Sequence, residues 1–146
     1  MSRRVIHRRR ALALGLALGA SAAGAIVLRR STVAPTLGAP RPALRDALQS
    51  VLSDPGATRR LGAAYLRAEQ QEASIDVLLR RLPISGVTAD QAATSAIADP
   101  AAVLALVGVA STTEFSDGDT VVVNGWELGR SEARLAALYA ALSLSE

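Results

Sequence analysis

Asp117-Gly118-Asp119-Thr120-Val121-Val122-Val123-Asn124-Gly125-Trp126-Glu127-Leu128 is where the chain stops reading as helix. Asp117-Gly118-Asp119 has turn composition. Residues 120–123 are a β-branched run, and residues 126–128 answer it. Asn124-Gly125 between them is the strongest short hairpin signal, because a two-residue type I′ turn needs positive φ at both central positions. A lone two-stranded hairpin is marginal in water. The hairpin over residues 120–128 is therefore expected to lie on helices. Trp126 follows the turn directly, so the turn's register sets its direction. It is expected to plug the hairpin onto the helices, since the chain has only four aromatic residues and this is the largest. The competing reading makes Trp126 an exposed anchor for a partner.

On both sides the period is helical. Downstream, Ser131 can cap a last helix with Glu132 in its first turn, and Leu135, Leu138, Tyr139 and Leu142 line one face. Upstream, Leu44, Leu48, Val51 and Leu52 form a first stripe. Asp54-Pro55 ends that helix and starts the next, Asp as N-cap and Pro at the first helical position. Leu61, Ala64, Tyr65 and Ala68 form a second stripe. Ile75, Leu78, Leu79 and Leu82 form a third, stopped by Pro83; the pattern fits one bent helix or two. Residues 84–87 read as a loop. Thr88 and Gln91 have capping-box spacing, and Asp99-Pro100 repeats the cap-and-start device. Residues 101–110 are nearly all apolar, which predicts the most buried helix of the domain. The fold class expected is mainly α: a small bundle of five or six helices with one β-hairpin over residues 43–146, behind an N-terminal signal or anchor helix.

Charge divides the chain. Residues 1–30 carry seven of the sixteen basic residues and no acid. Residues 31–146 carry the other nine, all arginine, against thirteen acids, so this body is mildly acidic. Nucleic acid is therefore not the expected partner, because such proteins concentrate basic residues on the folded body. The chain has no Cys and no Lys, and its one His and one Met are His7 and Met1. Residues 31–146 thus lack the usual general base, the soft metal ligands, the Schiff-base amine and the common haem ligands. No cofactor or metal is read from them. Their length suits one domain.

In the leader, Arg3, Arg4, Arg8, Arg9 and Arg10 precede an uncharged, weakly apolar run over residues 11–28. The run is at the short end for a membrane span, which needs about 20 residues. Ala20-Ser21-Ala22 and Ala23-Gly24-Ala25 offer small residues of the kind a signal peptidase reads. Residues 1–30 read as a cleaved export signal; the alternative is an uncleaved anchor that holds the body at the membrane through residues 11–28. Residues 31–42, with three prolines, read as a linker.

Arg8-Arg9-Arg10-Ala11-Leu12, the apolar run and Arg29-Arg30 together resemble a twin-arginine (Tat) export signal. The usual Ser or Thr is replaced by His7, and no Phe or Lys follows. The resemblance implies transport by the twin-arginine machinery to the periplasm, with Arg8, Arg9 and Arg10 as the recognition residues. At the other end, Gly125-Trp126-Glu127-Leu128-Gly129-Arg130-Ser131-Glu132-Ala133-Arg134-Leu135 resembles the ending of small uncharacterised exported bacterial proteins. Gly129 stands where that pattern has a Ser. This resemblance implies no mechanism.

Few constellations in the body carry chemistry. Glu114, Asp117 and Asp119 gather at a turn, but their spacing is not that of an EF-hand loop, and turn chemistry accounts for them. Arg130 and Arg134 lie one helical turn apart and could hold a partner's carboxylate or phosphate. Glu127 and Glu132 are near enough to pair with them instead, which predicts a surface ion-pair cluster. The function expected is a non-enzymatic accessory or partner-binding protein, with Trp126, Arg130 and Arg134 as candidate partner contacts. A small subunit co-exported with a cofactor-containing oxidoreductase fits best, because the twin-arginine route carries folded proteins and this body has no evident cofactor ligand. The alternatives are a small hydrolase or metal-dependent enzyme built on Asp, Glu and Arg, and a membrane-tethered structural or stress protein.

Overall fold

A computed structural model describes residues 41–84 and 88–144. The leader with Arg8, Arg9 and Arg10, the proline-rich linker up to residue 40 and loop residues 85–87 lie outside them. The elements run α1 (Arg41–Val51), α2 (Pro55–Ala68), α3 (Ile75–Arg81), α4 (Ala89–Ala98), α5 (Pro100–Asp117), β1 (Thr120–Val123), β2 (Trp126–Gly129) and α6 (Arg130–Ser143). The fold is mainly helical, with one two-stranded antiparallel hairpin.

Local chemistry starts the helices where the pattern placed them. Asp54 and Asp99 each accept a hydrogen bond from the backbone N–H three residues on, Ala57 at 2.8 Å and Ala102 at 2.9 Å. Thr88 and Gln91 form a reciprocal capping box. A 3₁₀ turn at Gln70–Glu72 separates α2 from α3, so the undecided pair is two helices. Helix α1 starts at Arg41, two residues inside the expected linker. Pro42 is tolerated because the first turn leaves its backbone N–H groups unpaired in any case.

The hairpin has the expected register, with Val121 opposite Leu128 and Val123 opposite Trp126. Asn124 and Gly125 have φ of 50° and 82°, the positive values the two-residue turn requires. Directly paired residues share a face, so Val121, Val123, Trp126 and Leu128 point one way and Val122 and Glu127 the other. Val123 and Leu128 are buried in the core.

The helix at the centre is α6, not α5. Nine of the fourteen residues of α6 are buried, against three of eighteen in α5. Helix α6 contacts α1, α2, α3, α5 and both strands. Residues 101–110 are apolar all round but covered on one side only. In α6 the face opposite the Leu stripe is alanine, which needs no solvent and lets neighbours approach. The closest approach is at Gly62 on α2. A Cβ there would fall 1.9 Å from the Ala136 carbonyl oxygen, so only glycine allows α2 to cross α6.

Candidate functional site

Three groups of side chains deserve comparison with the expected sites: a buried ion cluster, a capped helix start, and an uncovered helix face.

The ion cluster joins the 3₁₀ turn to α6. Arg134 donates from Nε and Nη2 to the two carboxylate oxygens of Glu72, both at 2.9 Å. The Tyr65 hydroxyl donates to Glu72 Oε2 at 2.8 Å, and Arg81 approaches Glu72 Oε1 to 3.5 Å from the solvent side. The hydrogen bonds from Arg134 hold the Glu72 carboxyl down at about 2. Burial, then the hydrogen bond to Glu72, pushes the Tyr65 hydroxyl up to about 12. Neither Glu72 nor Tyr65 changes charge near neutral pH. Arg134 is therefore part of a buried, fork-shaped clasp, not of a surface cluster with Glu127 and Glu132. The pairing spans 62 residues, and no local spacing announces it.

The second group starts α6. The N-cap is Gly129, and Ser131 lies inside the first turn. The capping acceptor arrives from α5: Glu114 takes the Ser131 backbone N–H at 2.9 Å and its hydroxyl at 2.7 Å. A negative carboxylate there also suits the helix dipole. A Cβ at position 129 would fall 2.5 Å from Ser111 Oγ and 2.7 Å from Glu114 Oε2. Gly129 replaces the expected Ser because the space is taken by the group that does the capping. Glu132 accepts from Ser111 Oγ at 3.4 Å. Burial raises its carboxyl above the ordinary range, the Glu114 charge adds to this, and the Gly129 N–H and Ser111 oppose it.

Arg130 pairs with Asp119 across the hairpin. Glu114 and Asp119 are thus engaged with α6 and its first residue, and among the described residues no three His, Cys, Asp or Glu side chains stand together as a metal cage. Trp126 sits at the hairpin tip on its core-facing side and is 39% exposed, so it is neither a full plug nor a free anchor. Val122, on the opposite face, is 64% exposed.

The third group is the outer face of α5. Ala102, Ala105, Leu106, Val109, Thr112 and Thr113 all face solvent, with Leu106 43% and Val109 70% exposed. No charge occurs between Asp99 and Glu114. The helix is bounded by Asp99, the N-cap whose side chain is turned to the Ala102 N–H, and by Asp117, the last residue of α5. The all-apolar run that pointed to burial is the signal that finds this surface once its second side is seen to be bare.

No relative decides between these groups. Neither a family model, nor a curated protein, nor a solved structure matches the chain. The functional reading rests on the residues alone.

Proposed function

We propose that the chain is an exported, non-enzymatic partner-binding protein whose outer α5 face docks on a second protein in the periplasm. The observation that carries this reading is that face, an uncharged stripe through Leu106 and Val109 left bare on an otherwise alanine- and leucine-packed bundle. A bare apolar stripe rimmed by polar residues is characteristic of an interaction surface. A helix of this form suits insertion into an apolar groove of its partner, read at successive one-turn spacings. The charged side chains that chemistry would recruit are engaged in holding the fold, Glu72 with Arg134 and Glu114 with the start of α6. The leader supplies the address. Its resemblance to a twin-arginine signal supports export in a folded state, and a cofactor-bearing oxidoreductase is the partner that best explains that route.

Replacing Arg8, Arg9 and Arg10 by Lys conserves charge and separates the routes. The proposal expects the chain to stay in the cytoplasm and its partner to be missing from the periplasmic complex. Unchanged periplasmic yield would remove the twin-arginine part of the reading. Exported chain found only as a free monomer would remove the partner.

A further inference from the structure

We propose that the outer face of α2, which carries Arg59, Arg60 and Arg67, lies on an anionic phospholipid surface and so turns the α5 face toward water. Contact with lipid through α2 stands or falls separately from what docks on α5.

Helix α2 holds three arginines and no acid. Arg60 and Arg67 are seven residues apart, about 20° short of two whole turns, so they share one face. Gly62, which meets α6, stands two residues from Arg60 and five from Arg67 and therefore lies on the opposite side of the helix. Arg59, Arg60 and Arg67 are all exposed. Arg81, Arg130 and Arg134 each reach an acid. Among the described residues, Arg59, Arg60 and Arg67 reach none. Each is a free fork of donors of the kind that takes phosphate oxygens in pairs. The residue between Arg60 and Arg67 on that face is Ala63. The face thus lacks the aromatic or apolar anchor that carries a protein interface. A headgroup layer asks for none, because each basic residue brought to it is worth about a fivefold gain in partition.

The rest of the domain sets the orientation. Residues 41–81 carry seven arginines against five acids, and residues 82–129 carry no arginine against six acids. Helix α5 meets α6 at Ser131 and Glu132, while α2 meets it at the Ala136–Ala137 peptide. Those contacts are five residues apart, about 140° round α6. The outer faces of α2 and α5 therefore look away from each other. A flat layer of phosphates meets one side of the domain only, so it draws in the arginine row and holds off the acidic side. A polyanion that wraps the domain would meet both.

The chain has no cysteine, so single labels can be placed at will. The leader's seven arginines and apolar run would hold the full 146-residue chain on anionic vesicles in any case, so orientation, and not binding, is the readout. A fluorophore is attached through Ala68→Cys, exposed beside Arg67, or through Val109→Cys on the outer face of α5. The vesicles are phosphatidylcholine with phosphatidylglycerol, and a nitroxide on the lipid headgroup is the quencher. Quenching is expected to be about threefold stronger at position 68, because the two labels lie across a domain whose radius of gyration is about 13 Å. The preference should vanish at high salt, on phosphatidylcholine alone, and in Arg59→Gln/Arg60→Gln/Arg67→Gln, while the corresponding Lys variant keeps most of it. Melting curves of the exposed-face variants should match the wild type. A preference that survives in the Gln variant would overturn the inference. Equal quenching at the two positions would overturn it as well; if the Gln variant then also loses the periplasmic complex, the row belongs to an acidic protein. Stronger quenching at position 109 would give the α5 face to lipid and remove both this inference and the docking reading. A preference for position 68 with Leu106→Glu still holding its partner would leave the lipid contact standing and remove the docking reading alone.

Discussion

At the scale of single residues, Glu72 carries the largest electrostatic share. Its carboxyl titrates at about 2 in the fold instead of 4.5, a difference of about 3 kcal/mol at 1.36 kcal/mol per unit. A depressed carboxyl stabilises the fold above its unfolded value and loses that contribution as the pH falls through its folded one. Acid unfolding monitored by circular dichroism should therefore show a loss between about pH 4.5 and pH 2, and Glu72→Gln should flatten that limb. Arg134→Ala should cost about 3–5 kcal/mol at neutral pH, because it leaves a buried carboxylate unpaired. Glu132 behaves oppositely. Its carboxyl is raised by burial, so the fold gains as it protonates, and Glu132→Gln should raise the melting temperature at pH 7. None of this was legible locally. Arg134 reads with Glu127 and Glu132 by spacing, yet its partner lies on a turn far back in the chain. Trp126→Ala should cost about 2 kcal/mol, below the range of about 3–5 for a fully buried ring, since the residue is 39% exposed.

At the scale of elements, most starts and stops were legible because they depend on neighbours in sequence. Asp-Pro pairs, the Thr88–Gln91 box and the Asn124-Gly125 turn act within a few residues, and each stands where its chemistry places it. The start of α6 was not legible, because its cap comes from Glu114 on another helix. Glu114→Ala should therefore destabilise the domain by about 1–2 kcal/mol, as loss of an N-cap does. Gly129→Ser, which restores an ordinary cap residue, should destabilise as well, because its Cβ collides with Ser111 and the capping carboxylate. Thermal unfolding of the two variants checks both; a stabilised Gly129→Ser would show that the cap from α5 is dispensable. Hydropathy alone also points to the wrong central helix. The run at residues 101–110 is the more apolar, yet α6 is the more buried. Hydropathy records what an element tolerates, while alanines and Gly62 record how closely another can approach it.

At the scale of the whole molecule, the chain joins a basic leader to a body in which residues 82–129 carry six acids and no arginine, and whose longest described helix shows water an uncharged face. The ion pairs and caps hold that body together, and the α5 stripe through Leu106 and Val109 takes no part in them. Its side chains contribute little to stability, so changing them separates docking from folding. The most direct measurement compares the periplasmic species formed by the wild type and by Leu106→Glu/Val109→Glu, sized by light scattering with melting curves taken in parallel. The wild type is expected in a complex heavier than one chain, and the variant as a free domain that melts within a few degrees of the free wild-type domain. A variant that keeps its partner, or a wild type that is itself a lone monomer, would contradict the account.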